Sequence, residues 1–437
     1  MADRLYYADS FLRTFEARVA DVRLLSRTDG ETLWQVALDR TVFYPASGGQ
    51  PFDTGTLVAS ARSGATLEAP VTAVDEDEAG EVWHTTTKPL AAGTEVTGEI
   101  DWARRFDHIQ QHSAQHLLSA VCARELGGMT TSFHLGAESS TIDLAFAPKE
   151  SEPAGPGSLF PPESQLGPVE RIVNQLVGED RPVTVRNVER AEAIEMLQEG
   201  LLRKLPERPG DIRLIEIEGY DLNACGGTHV QSTGQIGGLL LRSVDKLKRG
   251  LRVEFVAGLR AVAAARGDYE VLTRASNALS IARSGVPDAI SRMVAENKAA
   301  EKARQKMRSE LAAYHAVRLV VEDTVEDHLR VVRRKFPDRD AEYVHALGSR
   351  VVSAVPQTLA LLASTQQEPA TLIIARSDDL DFSCAALLRQ ALEEMGLRGG
   401  GSASLAQSQV PAKQLDELFA RLEGEVRGQL KIPQLAK

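Results

Sequence analysis

The sequence predicts a multidomain α+β protein, and three observations lead there. The first 95 residues or so alternate apolar and polar positions in short runs broken by Gly, Pro and Asp, the mark of a small antiparallel barrel. Residues 104–121 then run without Pro or Gly and read as a helix, followed by mixed strand and helix patterns to about residue 255. An Ala-, Arg-, Lys- and Glu-rich stretch follows, and the chain ends in buried-strand and amphipathic-helix patterns. At 437 residues there is room for about three domains of roughly 150 each. The composition shifts divide the chain into a barrel with a glycine-rich loop (1–98), an α+β domain (99–258), a helical hairpin or coiled-coil arm (259–320) and a small α/β domain (321–437).

In the barrel, the strand candidates begin at Phe15, Leu33, Thr54 and Val82. Between them, the stretch from Phe43 to Gly55 holds Pro45, Gly48, Gly49, Gln50 and Pro51, too rich in breakers for a strand. It reads as a loop with exposed backbone amides that can approach a ligand closely, although a Gly-Gly pair between prolines is commonly only a turn. After the helix come Thr130–Gly136, a strand from Ser140, and a surface loop over 148–168 with six prolines. A helix over 169–177, a strand at 183–185, a helix over 191–202 and a strand at 212–217 lead to a tight turn at Cys225. Strands over 237–244 and 252–256 close this part.

The arm breaks at Ser284-Gly-Val-Pro-Asp288, a helix end followed by Pro at a new helix start. Its apolar stripe (Ile290, Met293, Val294, Met307, Leu311) is too broken to assign an oligomeric state. The last segment offers strands from Thr358 and Thr371, a helix over 383–395, a flexible Arg398-Gly-Gly-Gly loop and a final helix over 412–430.

With 43% apolar and 25% charged residues, the composition is that of an ordinary globular protein. No apolar run approaches the ~20 residues of a membrane helix, so no membrane partner is expected. A net charge of −11 excludes a histone-like binder but not an RNA enzyme, which needs only local basic patches. Candidate patches are Arg104 with Arg105, then Lys246, Lys248, Arg249 and Arg252, and Arg333-Arg-Lys335. Three separated cysteines make no disulfide framework and no signal-peptide pattern precedes them, so a cytoplasmic location is expected.

Two motifs carry the chemistry. His112 and His116 stand four apart on one helical face, and Cys225 and His229 stand four apart around Gly226 and Gly227. Together they supply the four soft or borderline donors that a tetrahedral zinc site requires. An HxxxH pair alone is often a surface pair or a core histidine, but a scarce cysteine four residues from a histidine shifts the balance. Cys122 and Cys384 sit in apolar runs and read as small buried hydrophobes.

These residues resemble a known family. Phe43-Tyr-Pro with Gly48-Gly-Gln-Pro51, His112-Ser-Ala-Gln-His116, Ser132-Phe-His-Leu-Gly136 and Cys225-Gly-Gly-Thr-His229 are similar to the editing half of alanyl-tRNA synthetases. Arg252-Val-Glu-Phe-Val-Ala-Gly258 resembles the segment that closes that domain, and Leu5–Leu12 the beginning of the long free-standing alanyl-tRNA editing proteins, the AlaX family. The C-terminal third resembles, more loosely, the DHH-associated domain of the synthetases. The resemblance implies an enzyme that deacylates mischarged tRNA for alanine, chiefly seryl- and also glycyl-tRNA, with no aminoacylation domain upstream.

It also implies zinc on His112, His116, Cys225 and His229, with no ligand role for His108. Ala224 stands where members often carry proline. The resemblance further brings Gly48, Gly49 and Gln50 to the substrate. Gln115, Thr131, Ser132, His134 and Thr228 adjoin the metal motifs and are the candidates for catalysis and for rewarding the serine hydroxyl, with Arg252 as a further substrate contact. Four protein ligands leave no open position on zinc, so the ion would orient substrate or hold the site together unless one ligand departs. A small-ester zinc hydrolase and a non-catalytic tRNA-binding module with structural zinc are the competing classes. The arm or the C-terminal domain could grip tRNA or carry a homodimer.

Overall fold

The computed structural model of the chain describes residues 2–431 apart from 29, 61–63, 147–165, 208–209, 249, 324 and 327. Most of the proline-rich 148–168 stretch therefore lies outside the described residues, as does Arg249. Residues 166–168 begin a helix rather than end a loop. The chain forms two compact units, Met1–Arg274 and Ala275–Lys437. It is an α+β protein with a closed six-stranded barrel and, among the described residues, eight α-helices.

The barrel closes in the order Thr14–Thr28, Glu31–Leu38, Val82–Thr86, Thr66–Glu76, Gly55–Ser60 and Glu95–Ile100, with every neighbouring pair antiparallel. Alternation turns Val19, Val36, Leu38, Leu57, Val71, Val74 and Val96 inward to fill it. Two of its strands are weakly marked in the sequence: one contains Pro70 and the other Gly98. Gly98 is there for packing, because a Cβ would lie 2.2 Å from the Phe15 ring.

Helix α1 (Trp102–Leu126) crosses the middle of the first unit. The Asp101 side chain caps it by accepting from the Arg104 amide at 3.2 Å, and Gly127 ends it at φ +66°. Its run from Ile109 to Cys122 is buried on all sides, yet half of it is polar. Such a helix survives only if each polar group finds a partner. Gln111 makes a two-way bond with the backbone of Ala257 (3.0 and 2.9 Å), and Gln110 donates to the Gln235 carbonyl (2.9 Å). These bonds dock the segment following the barrel onto a four-stranded sheet ordered Leu239–Leu247, Gly250–Ala257, Ser140–Phe146, Gly128–Leu135. Helix α2 (Leu166–Gly178) packs into the same core through Val169 and Val173. A smaller sheet, Val183–Val188, Ile212–Ile217 and Asp221–Ala224, delivers the chain to Cys225, with α3 (Arg190–Gln198) packed on it.

Helix α4 (Leu259–Leu279) follows, and after the break at 280–285 α5 (Val286–Glu322) begins with Pro287 in its first turn. The second unit is built on a six-stranded sheet ordered Val325–Glu326, Leu329–Phe336, Thr358–Ser364, Ala370–Arg376, Leu405–Val410, Gly399–Gly401. The C-terminal end of α5 and α6 (Ala341–Ala354) cover one face; α7 (Cys384–Glu393) and α8 (Leu415–Gln429) cover the other. The Arg398-Gly-Gly-Gly segment, expected as a flexible loop, is instead largely strand: Gly399–Gly401 pairs with the strand Leu405–Val410. Gly399 lies against Leu388 and Leu392, where a Cβ would be 3.0 Å from each, so glycine lets that edge strand press onto α7. The Arg333-Arg-Lys335 run is likewise not a free phosphate patch. It sits in the strand Leu329–Phe336, and its members pair with Glu423 (3.2 Å), Asp323 (3.1 Å) and Asp416 (2.7 Å).

Candidate metal centre

The four donors of the two motifs come together. The ligating atoms of His112, His116, Cys225 and His229 all lie within 4.8 Å of one another. Cys225 Sγ is 3.5 Å from His112 Nε2 and 3.3 Å from His229 Nε2. For a tetrahedral ion with metal–sulfur and metal–nitrogen bonds of about 2.3 and 2.1 Å, the S···N edge is roughly 3.6 Å. The donor set therefore fits one tetrahedral ion. Helix α1 supplies two ligands from a rigid face, and the turn after Asp221–Ala224 supplies the other two.

Each half of the cluster is held from behind. Gln50 is buried, and its Oε1 accepts from His112 Nδ1 (2.9 Å) and from the Thr228 amide (3.0 Å), while its Nε2 donates to the Thr228 hydroxyl (2.8 Å). One barrel-loop side chain thus fixes the His112 tautomer and the second turn together, leaving Nε2 of His112 free to ligate. Ser113 Oγ sits 3.2 Å from His229 Nδ1 and accepts from the Val230 amide (3.1 Å). Gly227 is obligatory, since a Cβ there would lie 2.1 Å from His112 Cε1. Gly49 (φ +83°) lets the loop pass Phe133, whose ring stands 5.7 Å from that of His112.

Burial sets the protonation. It pushes His112 and His229 well below the usual histidine range and His116 down to about 4, so all three are neutral, the form that ligates. The Cys225 thiol is raised by the same burial, against the opposing pull of the Gly227 amide and Arg213. A bound cation reverses that penalty.

Arg105, expected in a phosphate patch, is wholly buried against Asp53 (Nε to Oδ2 3.0 Å) and donates to the carbonyls of Ser10 (3.0 Å) and Val42 (2.6 Å). Asp53 in turn accepts from the Tyr44 amide (2.6 Å). This pair ties α1 to both sides of the loop that carries Gln50. Arg104 donates to the Phe52 carbonyl at 2.9 Å, so it too serves the loop.

The remaining candidates divide into two groups. Gln115 and Thr228 are buried beside the donors. Gln115 Nε2 donates to Ser119 Oγ (2.8 Å), which also accepts from Thr130 Oγ1 (2.8 Å), while Gln115 Oε1 is buried with no partner. Ser132, His134 and Arg252 are exposed. Ser132 (2.8 Å) and Arg252 (2.7 and 2.9 Å) meet at Asp143, directly across the ladder from both, so the structure does not bring them to the donors. Thr131 is the extra residue at a register shift in the same ladder and donates to the Asp143 carbonyl (3.2 Å). His108 Nδ1 is buried without a partner one turn before His112, and burial pushes its imidazole down to about 4. Sequence reasoning did not isolate Ser113, Phe133, Asp53 or Arg213. Ser113, Phe133 and Asp53 had a local signal in lying inside the histidine motif, the Ser132–Gly136 motif and the Phe43–Gly55 loop, whereas Arg213 had none.

Known proteins bear on this arrangement. Residues 212–253 match the model of the threonyl and alanyl tRNA synthetase second additional domain, and residues 2–104 that of class II (A) tRNA synthetases. An alanyl-tRNA editing protein AlaX-M of Methanosarcina acetivorans is 36% identical over 265 residues, covering 58% of this chain and 98% of that protein. An AlaX-L of Pyrococcus horikoshii is 27% identical over 445 residues, covering 99% of this chain and all of that protein. The alanine–tRNA ligase of Pyrococcus abyssi is 31% identical over 379 residues, and the chain spans 38% of its length. With its donor cluster and matched over nearly the full length of the shorter editing protein, the chain belongs to the alanyl-tRNA editing protein (AlaX) family.

Proposed function

We propose that this chain is a trans-editing hydrolase that deacylates mischarged tRNA for alanine, chiefly seryl- and also glycyl-tRNA, at a zinc-containing site in the cytoplasm. The observation that carries the reading is the convergence of buried His112, His116 and His229 with half-buried Cys225 under a barrel-loop glutamine. Such a cluster beside a glycine-rich loop suits a substrate that must be held rather than activated, because an aminoacyl ester is already reactive. The donor chemistry, two neutral imidazoles on a helix plus a Cys/His turn, fits zinc. Held by all four donors, zinc would supply a fixed positive charge that orients the aminoacyl group or holds the site together, with no open position for polarising the carbonyl unless one ligand departs.

The chain's own residues do the selecting. Alanine is smaller than serine and enters any serine pocket, so rejection must come from a hydrogen bond that alanine cannot make. Gln115 Oε1 is a buried acceptor with no protein partner, suited to a serine hydroxyl or the α-ammonium. The Thr228 hydroxyl accepts from Gln50, which leaves its own hydrogen to donate toward substrate. The backbone of Gly48 and Gly49, with left-handed φ of +57° and +83°, is open to the terminal adenosine. Thr131, Ser132, His134 and Arg252 line the exposed ladder and are assigned to the approach of the tRNA end rather than to the amino acid.

The test is deacylation of seryl-, glycyl- and alanyl-tRNA for alanine by the wild type and Cys225→Ala. Hydrolysis of the first two, sparing the third and lost in the variant, is expected. Undiminished activity in metal-free, folded protein would remove zinc from the reading. A second reading, a tRNA-binding module with a structural ion, is favoured by the complete four-donor set. Tight tRNA binding without any deacylation would select it, and cleavage of small aminoacyl esters alone would select a small-ester hydrolase. We propose a homodimer through α5, whose exposed apolar residues fall in two groups with 3- and 4-residue gaps, Ile290 with Met293 and Met307 with Leu311 and Tyr314, although the stretch between them breaks the stripe. A monomer by light scattering at micromolar concentration would contradict it.

A further inference from the structure

The wall behind Cys225 depends on a side chain that no motif in the sequence marks. Arg213 lies in the strand Ile212–Ile217, and its carbonyl accepts from the Cys225 amide at 3.1 Å. Its side chain returns over the turn. Nη1 donates to the carbonyls of Cys225 and Gly227, both at 2.8 Å, and Nε donates to the carbonyl of Tyr7 at 3.1 Å. The guanidinium also stands 5.6 Å from the Tyr7 ring centre, and Nη2 is buried with no protein partner. One planar group therefore fixes the backbone on both sides of Gly226 and ties it to the N-terminal segment. The turn has no slack, because Gly227 already lies so close to His112 that a Cβ would overlap the ring.

We infer that Arg213 is a positioning residue for the metal centre: it sets the Cys225–Gly227 backbone so that Cys225 Sγ stays within reach of His112 and His229. The inference rests on the reading of these four residues as metal ligands. Arginine's rigid fork can hold two carbonyls and a third at once. A lysine ammonium carries the same charge on a flexible stem and cannot reproduce that planar geometry. A thiolate ligand facing a guanidinium is also electrostatically favourable in a desolvated wall.

The experiment measures zinc affinity of full-length wild type, Arg213→Met and Arg213→Lys by competition with a chromogenic chelator, beside urea unfolding of each metal-free protein. Loss of an outer partner of a metal ligand typically weakens binding by about 10–100-fold. That loss is expected for Arg213→Met, with a smaller one for Arg213→Lys and metal-free unfolding midpoints close to wild type. Affinity within about threefold of wild type in the folded Met variant overturns the inference. So does a fall in metal-free stability with affinity unchanged, which marks a merely structural residue. Should Arg213→Met fail to fold, Arg213→Lys decides by the same threshold. A wild type that binds no zinc overturns the metal reading itself and this inference with it; wild-type binding with unaltered variants removes Arg213 alone.

Discussion

Gln50 is the residue on which the centre turns, because one amide serves His112, the Thr228 amide and the Thr228 hydroxyl. Gln50→Ala removes all three bonds and frees the His112 ring. We expect zinc affinity to fall about 10–100-fold and deacylation to fall with it, measured by chelator competition and by release of serine from seryl-tRNA. Gln115→Leu keeps the volume but deletes the unpartnered acceptor. If that acceptor binds the serine hydroxyl, the seryl-over-alanyl ratio of kcat/KM should fall by about tenfold or more, on the order of 1.5 kcal/mol. An unchanged ratio would return Gln115 to a purely structural role. Both glutamines stood out as candidates in the sequence, but their bonding partners did not. Gln50 was legible as part of a glycine-rich loop, but its partners lie 62 and 178 positions away, and no local pattern encodes such pairings.

Among the elements, α1 is positioned by a buried ion pair as well as by its apolar residues Ile109, Leu117, Leu118 and Val121. Arg105 and Asp53 are both wholly inaccessible, so removing one partner strands the other charge. Arg105→Met should destabilise the fold by about 3–5 kcal/mol, read as a lower urea midpoint, and should weaken zinc binding because the Gln50 loop loses its anchor. The barrel offers a second test. His84 donates from Nδ1 to the Val36 carbonyl (2.9 Å), and its Nε2 lies 2.8 Å from the Thr41 hydroxyl. Thr41 Oγ1 accepts from the Phe43 amide and keeps its proton free to donate to Nε2 when the imidazole is neutral. Burial pushes His84 down to about 4. Between that value and the unfolded value near 6.5, the unfolded chain binds a proton that the folded barrel excludes. This contribution to stability is complete above pH 6.5 and is lost as the pH falls toward 4, at most about 3 kcal/mol. Histidine NMR at pH 5 should therefore find His84 neutral; a charged ring there would refute it. The sequence marked this segment as a strand from its alternation, but gave no sign that a polar histidine in it faces the core.

For the whole molecule, the division at residue 274 makes a definite expectation. The first unit holds all four donors, the barrel and its own cores, so residues 1–279 should fold alone and bind zinc with the affinity of the full chain. Loss of tRNA affinity with the centre intact would assign substrate grip to the second unit, while equal affinity would return it to the first. The basic run expected there is not free, since Arg333, Arg334 and Lys335 each pair with an acidic partner at the surface. Glu423 and Asp416 lie some 80 to 90 positions further along the chain and only Asp323 is near, eleven residues before Arg334, which is why the run looked available in the sequence.

The sequence by itself determined the α+β class, the barrel, the helix with His112 and His116 one turn apart, and the cysteine turn. These follow from local rules: alternation, helical spacing and the conformational freedom of Gly-Gly. Tertiary structure decided everything that depends on a second segment. It turned Ser132 and Arg252 to Asp143, paired Arg105 with Asp53, and set Gln50, Ser113 and Arg213 behind the donors. Buried polar groups must be satisfied, but sequence spacing does not say by whom. Only the packing of the barrel loop and the α+β sheets around α1 makes that choice.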